Sequence, residues 1–176
     1  MTVQTKRYGK KTFTPEQKEQ YKQKKETEKE EIHALYKNFL TKKTIKDFVG
    51  ILAEYRQLHN YSIRNRFLVL AQAEQRHDEK FIGVLNNFRN WKEQNIQVLK
   101  GMTAYKVLVP IFAKKKNNEN EVILNDQNQP KEYLHFFKLG NVFDISQTSE
   151  FENYLRERKE IDEKIMKNAE IDYNTA

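Results

Sequence analysis

Residues 63–75 constrain the fold of this chain more than any other stretch. Their sequence, IRNRFLVLAQAEQ, follows Ser62 as a helix cap and has apolar side chains at positions 63 and 67–71, which nearly encircle the helix axis. A helix that is apolar on almost all sides must be buried, so we predict that it lies at the centre of the fold. Asn65 and Gln72 share one side of it, and each must therefore be hydrogen-bonded or face a ligand.

Two further helices are predicted before this one. The first begins with Thr14 as a cap and Pro15 in the first turn, but it is polar up to about residue 32, so its first half should project into solvent and fray. The second helix, residues 44–58, follows Thr44. Its apolar stripe is expected to face the core and consists of Ile45, Phe48, Val49, Leu52 and Tyr55.

Two apolar segments with β-rich composition follow Gly101. They predict a strand at 103–112, where Pro110 marks an edge strand or a strand end, and a second strand region at 133–148, broken at Gly140-Asn141. The polar run between them is too long for a tight turn and contains only a short predicted strand at 122–124. The simplest arrangement is an antiparallel pair, with a short strand or turn at 81–85.

These elements predict an α+β fold, in which a small antiparallel sheet packs against several helices. Helical extensions are expected at both the N- and the C-terminus. At the C-terminus, Ser149 and Glu152 have the spacing of a capping box and predict a charged helix.

The net charge of the chain is +7, and the excess falls on its central part. Residues 32–148 hold 18 Lys/Arg against 11 Asp/Glu, whereas the two flanking segments carry +3 and −3 and cancel. A basic folded surface favours a polyanionic partner, because Lys and Arg gain affinity by releasing counterions from phosphates. The sequence has no cysteine and no apolar run long enough for a membrane span, so we expect a cytoplasmic protein without a membrane partner.

Sequence signatures of catalysis are missing. The four histidines do not form HExxH, and neither a G-x-S-x-G elbow nor a G-x-x-x-x-G-K-[ST] phosphate loop occurs. Asp144 ends an apolar run as a Mg²⁺-binding carboxylate would, but an aspartate that caps the following turn gives the same pattern, and we favour that role. We predict no catalytic residue, no metal ligand and no cofactor. A nuclease that uses Asp144 is the enzymatic alternative.

The segment 88–101, FRNWKEQNIQVLKG, combines aromatic and cationic side chains. Phe88 and Trp91 share one helical face, and Arg89 and Lys92 share the next. This layout suits nucleic acid, while the same pattern is also typical of a core tryptophan with solvated cations beside it. We expect an intermediate position, with one ring face of Trp91 on the central helix near Leu68 and one edge beneath a DNA-binding groove.

Several short motifs occur in a fixed order along the chain. They are Tyr61-Ser62, Asn65, residues 68–72, Phe88-Arg89 with Trp91, Gln97-Val98 with Lys100-Gly101, Pro110-Ile111 and residues 142–148. Together they resemble the N-terminal domain of ArdC, whose pattern is roughly YSxxN-xLLIxxQ, GFRxWxxLGRQVKKGEK, ILxPI and VFDxxQT. The resemblance covers about residues 40–148. It implies a single-stranded DNA-binding domain of antirestriction and mobile-element proteins, where a zinc metalloprotease domain with HExxH usually follows; we expect this chain to be without that domain.

The chain departs from the family pattern in the loop before Gly101. Positions that are glycine, arginine, lysine and Glu-Lys in the pattern are here Asn95, Ile96, Leu99 and Met102-Thr103. We therefore expect the loop to turn at Lys100-Gly101 but to make fewer phosphate contacts than in the family.

We predict a non-catalytic protein of a plasmid, phage or integrative element that binds single-stranded DNA with little sequence preference. A cationic groove would hold the backbone and aromatic faces would stack on bases. The predicted site is Tyr61, Arg64, Asn65, Arg66, Arg89, Trp91, Lys92, Lys100, Tyr105, Lys106, Lys114, Lys115 and Lys116. RNA stays open as a substrate, and replication proteins of the same element are further expected partners.

The alternative is an adaptor that binds a replication or restriction enzyme subunit through its long charged helices. In either case we expect three parts: a polar, partly disordered or helical extension at 1–40, a nucleic-acid-binding domain resembling that of ArdC at 41–148, and a charged C-terminal helix at 149–176.

Overall fold

The computed structural model describes the backbone of residues 13–175 and the side chains of residues 13–167. Residues 1–12 of the N-terminal extension, which we predict to be partly disordered or helical, lie outside this range. The helices are α1 (Pro15–Thr41), α2 (Ile45–Glu54), α3 (Ile63–Arg76), α4 (Phe88–Glu93) and α5 (Phe151–Thr175), with 3₁₀ turns at Arg56–Asn60 and Ile145–Gln147. The strands β1 (Leu85–Asn86), β2 (Tyr105–Lys114) and β3 (Glu132–Asp144) form an antiparallel sheet in the order β1-β3-β2. The predicted α+β class is confirmed.

The central position of α3 is also confirmed. Ser62 caps this helix by accepting the backbone N–H of Asn65, and every residue from 67 to 73 is buried. The core around α3 is assembled from distant parts of the chain, including Phe39, Leu58 and Phe81. The burial follows directly from the apolar surface that encircles this helix.

Asn65 and Gln72 have their polar groups satisfied by the edge of β2. The Asn65 side chain donates to the carbonyl of Leu108 at 2.9 Å and accepts its N–H at 2.8 Å. Gln72 makes the same pair with Lys106, at 2.9 and 2.8 Å. Because β2 is an edge strand, these amides supply partners for backbone groups that would otherwise lack them. Both side chains therefore hold α3 against the sheet.

Helix α2 differs from its prediction in length and orientation. It ends at Glu54, before the predicted residue 58, and a 3₁₀ turn follows. Ile45 and Val49 are 84% and 63% exposed, so their predicted core position is wrong. The stripe that packs is instead Phe48, Ile51, Leu52 and Tyr55. Both stripes have helical spacing, so the periodicity alone could not decide between them.

Helix α1 is capped as predicted but continues without a break through its polar half. Thr14 and Gln17 form a capping box. Halfway along, Glu28 makes an ion pair with Lys106 of β2, and the hydrogen bond from this lysine holds the pKa of Glu28 below its usual value. Near its end, Phe39 is buried in the core. The domain boundary at residue 40 stays a prediction.

Strand β3 passes through Gly140-Asn141 without the predicted break. Gly140 pairs with Val107, and a Cβ atom at this glycine would lie 2.6 Å from Cγ2 of Val109. Glycine is therefore required here for close packing rather than for a turn. The prediction for Pro110 is confirmed, since β2 is an edge strand.

The start of α5 also differs from its prediction. The Ser149 hydroxyl accepts the backbone N–H of Gln97 at 3.2 Å, so it joins two loops instead of capping the helix, which begins at Phe151. None of the helices in residues 13–175 has both the length and the apolarity that crossing a membrane requires.

Candidate nucleic-acid interface

Beyond Val109 and Leu139 the β2–β3 hairpin extends away from the core. We term residues 110–138 the ribbon arm. Residues 130–138 are exposed without interruption, whereas a strand with one covered face alternates between buried and exposed residues. Both faces of the arm are therefore open to solvent.

A β-bulge fixes which side chains share a face of the arm. Ile111 pairs with Phe136 and Phe112 with Leu134, which leaves His135 as the extra residue. His135 contacts Tyr133 and Phe136 edge-to-face, with ring centroids 6.0 and 5.1 Å apart. Tyr133, His135 and Phe136 thus form a continuous exposed row of rings, which we term the aromatic row.

The opposite face of the arm is apolar up to the charged pair Lys114–Glu132. The cross-strand pairs Pro110–Phe137 and Phe112–Leu134 lie on it, and we term these four residues the apolar strip. Phe112, Leu134 and Phe137 are 46–56% exposed. At the base of the strip, Leu108 and Leu139 help to line a groove of about 520 Å³ beneath α1.

Residues 115–131 form an ordered tip, where the sequence predicted a long loop. Two turns of the same kind occur eight residues apart, each started by an asparagine whose side chain accepts two backbone N–H groups. These are Asn117 and Asn125. Asn120 and Asn128 close the turns with φ angles of 68° and 62°, which asparagine tolerates better than most residues. This repeat of two turns was not predicted from the sequence.

Three backbone hydrogen bonds join the segments before, between and after the two turns in a closed cycle. Lys115 donates its N–H to Lys131, Lys131 donates to Ile123, and Ile123 donates to Lys115, at 2.7, 2.8 and 2.9 Å. Isolated bridges at Val122 and Leu124 stand where the short strand is predicted. The exposed lysines of the tip are therefore carried on a hydrogen-bonded frame.

Two of the predicted stacking residues are buried. Trp91 is 3% exposed, and its indole N–H donates to the carbonyl of Phe143 at 3.0 Å. Tyr105 is fully buried beneath Arg76, and burial together with its hydrogen bond to Asp78 raises the pKa of its hydroxyl. Neither ring presents a face to a base, which corrects the expected position of Trp91 at a groove.

Four more predicted residues have structural partners. The Tyr61 hydroxyl donates to the carbonyl of Leu85 at 3.2 Å, and burial raises its pKa. Arg66 donates to the carbonyls of Tyr61 and His59 at 2.8 and 2.6 Å and so closes the end of the first 3₁₀ turn. Lys106 is held by its ion pair to α1, as Asn65 is by its amide bonds to β2.

The remaining predicted cations are exposed but lie on separate elements. Arg64 of α3 lies 5.8 Å from the Tyr36 ring of α1, and Arg89 of α4 pairs with Glu93 at 2.8 Å. Lys92 and Lys100 are exposed on and after α4, and Lys114, Lys115 and Lys116 are exposed at the end of the arm. The structure thus does not bring the thirteen predicted residues into one groove.

Asp144 has the capping role that we favoured for it. Its side chain is fully buried and accepts the N–H groups of Ile82, Gly83 and Ser146, at 3.2, 2.8 and 3.0 Å. Burial raises the pKa of Asp144, while these donors oppose the change. Within the described residues, no group of three or more His, Asp or Glu is placed to hold a metal ion.

A family model for the N-terminal domain of anti-restriction factor ArdC matches residues 41–143, which is more than half of the chain. The chain belongs to this family. No curated protein and no solved structure matches it.

The motif residues of this ArdC N-terminal domain hold its elements together. Asn65 and Gln72 close the edge of β2, and Trp91 joins α4 to β3. Gln147 accepts the N–H of Asp144 and donates to the carbonyl of Thr103, both at 3.0 Å. In this chain, these motif residues therefore stabilise the fold rather than form an exposed surface.

One departure from the family pattern is explained by the backbone. Asn95, where the pattern has glycine, has a φ of 60°, and Gly101 has a φ of 86°. Asparagine is the residue that most readily replaces glycine in the left-handed region. The loop therefore keeps its turns, including the predicted one at Gly101.

The aromatic row of this ArdC N-terminal domain and the lysines beside it, Lys131 and Lys138, are not among the predicted site residues. A signal was present in KEYLHFFK, residues 131–138, where aromatic residues occur at both odd and even positions of a strand. Such a strand places rings on both faces, and one of those faces had no helix assigned to cover it.

Proposed function

We propose that this chain binds single-stranded DNA through its ribbon arm. The observation that carries the proposal is the row of three adjacent exposed rings with lysines on either side of it. Rings stack on bases of any sequence, and cations follow the phosphate backbone, so the combination gives sequence-tolerant binding to single strands. The family's description as part of an anti-restriction factor supports a DNA-related role.

The lysines of the proposed surface come from both strands of the arm. Lys114 ends β2 on the face of the apolar strip, and Lys115 and Lys116 begin the tip. Lys131 and Lys138 flank the aromatic row in sequence, and all five lysines are exposed. Of the other predicted cations, Arg64, Arg89, Lys92 and Lys100 stay candidates for contacts to a longer strand. A mobile genetic element is the proposed source, and RNA the second substrate to test.

Replacing Tyr133 and Phe136 together by alanine is expected to weaken binding of a single-stranded oligonucleotide. Each lost stacking contact should cost about 1–3 kcal/mol of binding. Both side chains are about half exposed, at 47% and 49%, so the thermal unfolding midpoint should change little. Fluorescence anisotropy with labelled oligonucleotides measures the loss of affinity. Single-stranded DNA, duplex DNA and RNA of equal length show which nucleic acid is preferred.

The apolar strip provides a matched control for this experiment. Replacing Phe112 and Phe137 by alanine removes two rings of similar exposure from the opposite face, at 56% and 47%, and should leave DNA affinity unchanged. The proposal fails if duplex binds as tightly as single strands. The assignment of the face fails if the control pair weakens binding and the aromatic row does not.

Replacing Lys114, Lys115 and Lys116 together by alanine is expected to weaken binding without lowering stability. The slope of log affinity against log salt should become shallower by about 0.7 for each lost phosphate contact. The matched control replaces Lys18, Lys22 and Lys24, which are exposed on α1, and removes the same charge. Equal losses in the two triple variants would mean that only net charge matters.

The adaptor alternative is favoured by a different observation, the apolar strip. An exposed apolar face on an uncovered sheet is typical of protein interaction sites. Replacing Phe112 and Phe137 by alanine should weaken the binding of a partner that docks there, whereas polyphosphate should not displace that partner. Polyphosphate should displace DNA that is bound at the aromatic row. The two sites lie on opposite faces and can be tested separately.

A further inference from the structure

Helix α5 exposes apolar side chains that nothing in the described part of the chain covers. Every residue from 155 to 167 is exposed, including Leu155, Ile161, Ile165 and Met166 at 39%, 54%, 60% and 68%. Helical spacing places these residues on one face with Tyr154, Arg158 and Asp162. A surface helix with an apolar stripe normally buries that stripe against another element.

The residues of this face are arranged symmetrically about the level of Glu160. Leu155 and Ile165 stand five positions on either side of it, and Arg158 and Asp162 stand two positions on either side. A two-fold axis at this level would place each member of a pair opposite its counterpart on a second, antiparallel copy. Apolar residues would then meet apolar residues, and each arginine would meet an aspartate.

Charge distinguishes this arrangement from a parallel one. In a parallel pair in register, Arg158 would face Arg158 of the second copy and Asp162 would face Asp162, so like charges would meet twice. Within one chain the two side chains are already aligned, with Arg158 Nε 4.0 Å from an Asp162 carboxylate oxygen. The antiparallel arrangement keeps opposite charges adjacent at the centre of the contact.

We propose that α5 joins two copies of this chain as an antiparallel helix pair, centred near Glu160 and closed by Arg158–Asp162 contacts between the copies. The helix face is self-complementary in both apolarity and charge, which is the property that a two-fold interface between identical chains requires. A second copy thus covers the exposed stripe. The proposal is independent of the function of the ribbon arm.

Sedimentation velocity of the full chain tests the proposal over a roughly hundredfold range of protein concentration. The expected result is a monomer–dimer equilibrium that shifts to dimer at high concentration. The Arg158→Glu variant should weaken dimerisation by about tenfold or more, because symmetry repeats the change twice. Arg158→Glu combined with Asp162→Arg restores opposite charges and should return the affinity to within about threefold of the original.

Two further variants keep the test specific. Arg156→Glu makes the same charge change on the opposite side of α5 and should leave dimerisation unchanged, and Ile165→Asp should abolish it. Circular dichroism at low protein concentration checks that each variant keeps its helix. A chain that stays monomeric throughout overturns the proposal. A dimer insensitive to Arg158→Glu and Ile165→Asp places the contact elsewhere, and failure of the charge swap to restore dimerisation overturns the antiparallel register.

Discussion

Replacing Trp91 by alanine is expected to lower the free energy of unfolding by about 3–5 kcal/mol. Trp91 is the only buried residue of α4, and its hydrogen bond to the carbonyl of Phe143 joins this short helix to β3. Truncation leaves a cavity and removes that donor, and six residues of helix cannot be stable alone. Urea unfolding followed by circular dichroism measures the change.

Phe88 is the matched control, since it lies on the same short helix and is 57% exposed. The Phe88→Ala variant should lose less than about 1 kcal/mol. Trp91 also allows a spectroscopic test, because the chain has a single tryptophan. We expect a blue-shifted emission that stays unchanged at saturating oligonucleotide. A variant at Trp91 that binds DNA weakly but keeps its stability would contradict the buried position.

Replacing Asp144 by alanine should destabilise the fold by about 3 kcal/mol or more. The carboxylate accepts three backbone N–H groups in a fully buried position. Without it these donors have no partner, and each unsatisfied buried group costs about 1–3 kcal/mol. The loop at Ile82 and Gly83 and the turn after β3 would both lose their anchor. Urea unfolding again gives the magnitude.

Asp126 serves as the control, because it is an exposed aspartate in the second turn of the tip. Its replacement by alanine should change stability by less than about 0.5 kcal/mol. Unchanged stability of the Asp144→Ala variant would contradict the capping role. The nuclease alternative would be supported if the original protein cleaves DNA in the presence of Mg²⁺ and the Asp144→Ala variant does not.

The surface that we propose for DNA binding could not be derived from local sequence patterns. Aromatic and cationic residues next to one another in sequence, as at Phe88 and Trp91, suggested a site there. The fold instead turns Trp91 inward and leaves Phe88 in solvent. The proposed surface comes from a strand whose exposure depends on where the helices stop covering the sheet.

The resemblance to the ArdC family identified the chain, but several of the motif residues that carried it lie inside the fold. The motif residues Asn65, Trp91 and Asp144 are satisfied by partners within the chain. A motif that maintains a fold need not lie on the binding surface. Exposed positions such as Tyr133 and Phe136 lie outside the motifs that carried the resemblance.

The sequence by itself determined the elements whose formation is local. Thr14 and Ser62 cap their helices as predicted, and Thr44 caps the helix predicted to follow it, because a cap acts within one turn of its own helix. The apolar surface around α3 likewise fixed its burial, since no orientation of such a helix leaves a polar face for solvent.

Only the tertiary structure decided how these elements meet. Distant parts of the chain decide which stripe of α2 packs against the core and place Gln97 beside the Ser149 hydroxyl. They also decide where the core ends, and this leaves both faces of the ribbon arm uncovered. Asn65 could have faced a ligand or a strand edge, and the position of β2 settled this in favour of the strand. Local periodicity describes which faces a segment has, and the packing of the whole chain decides which of them are covered.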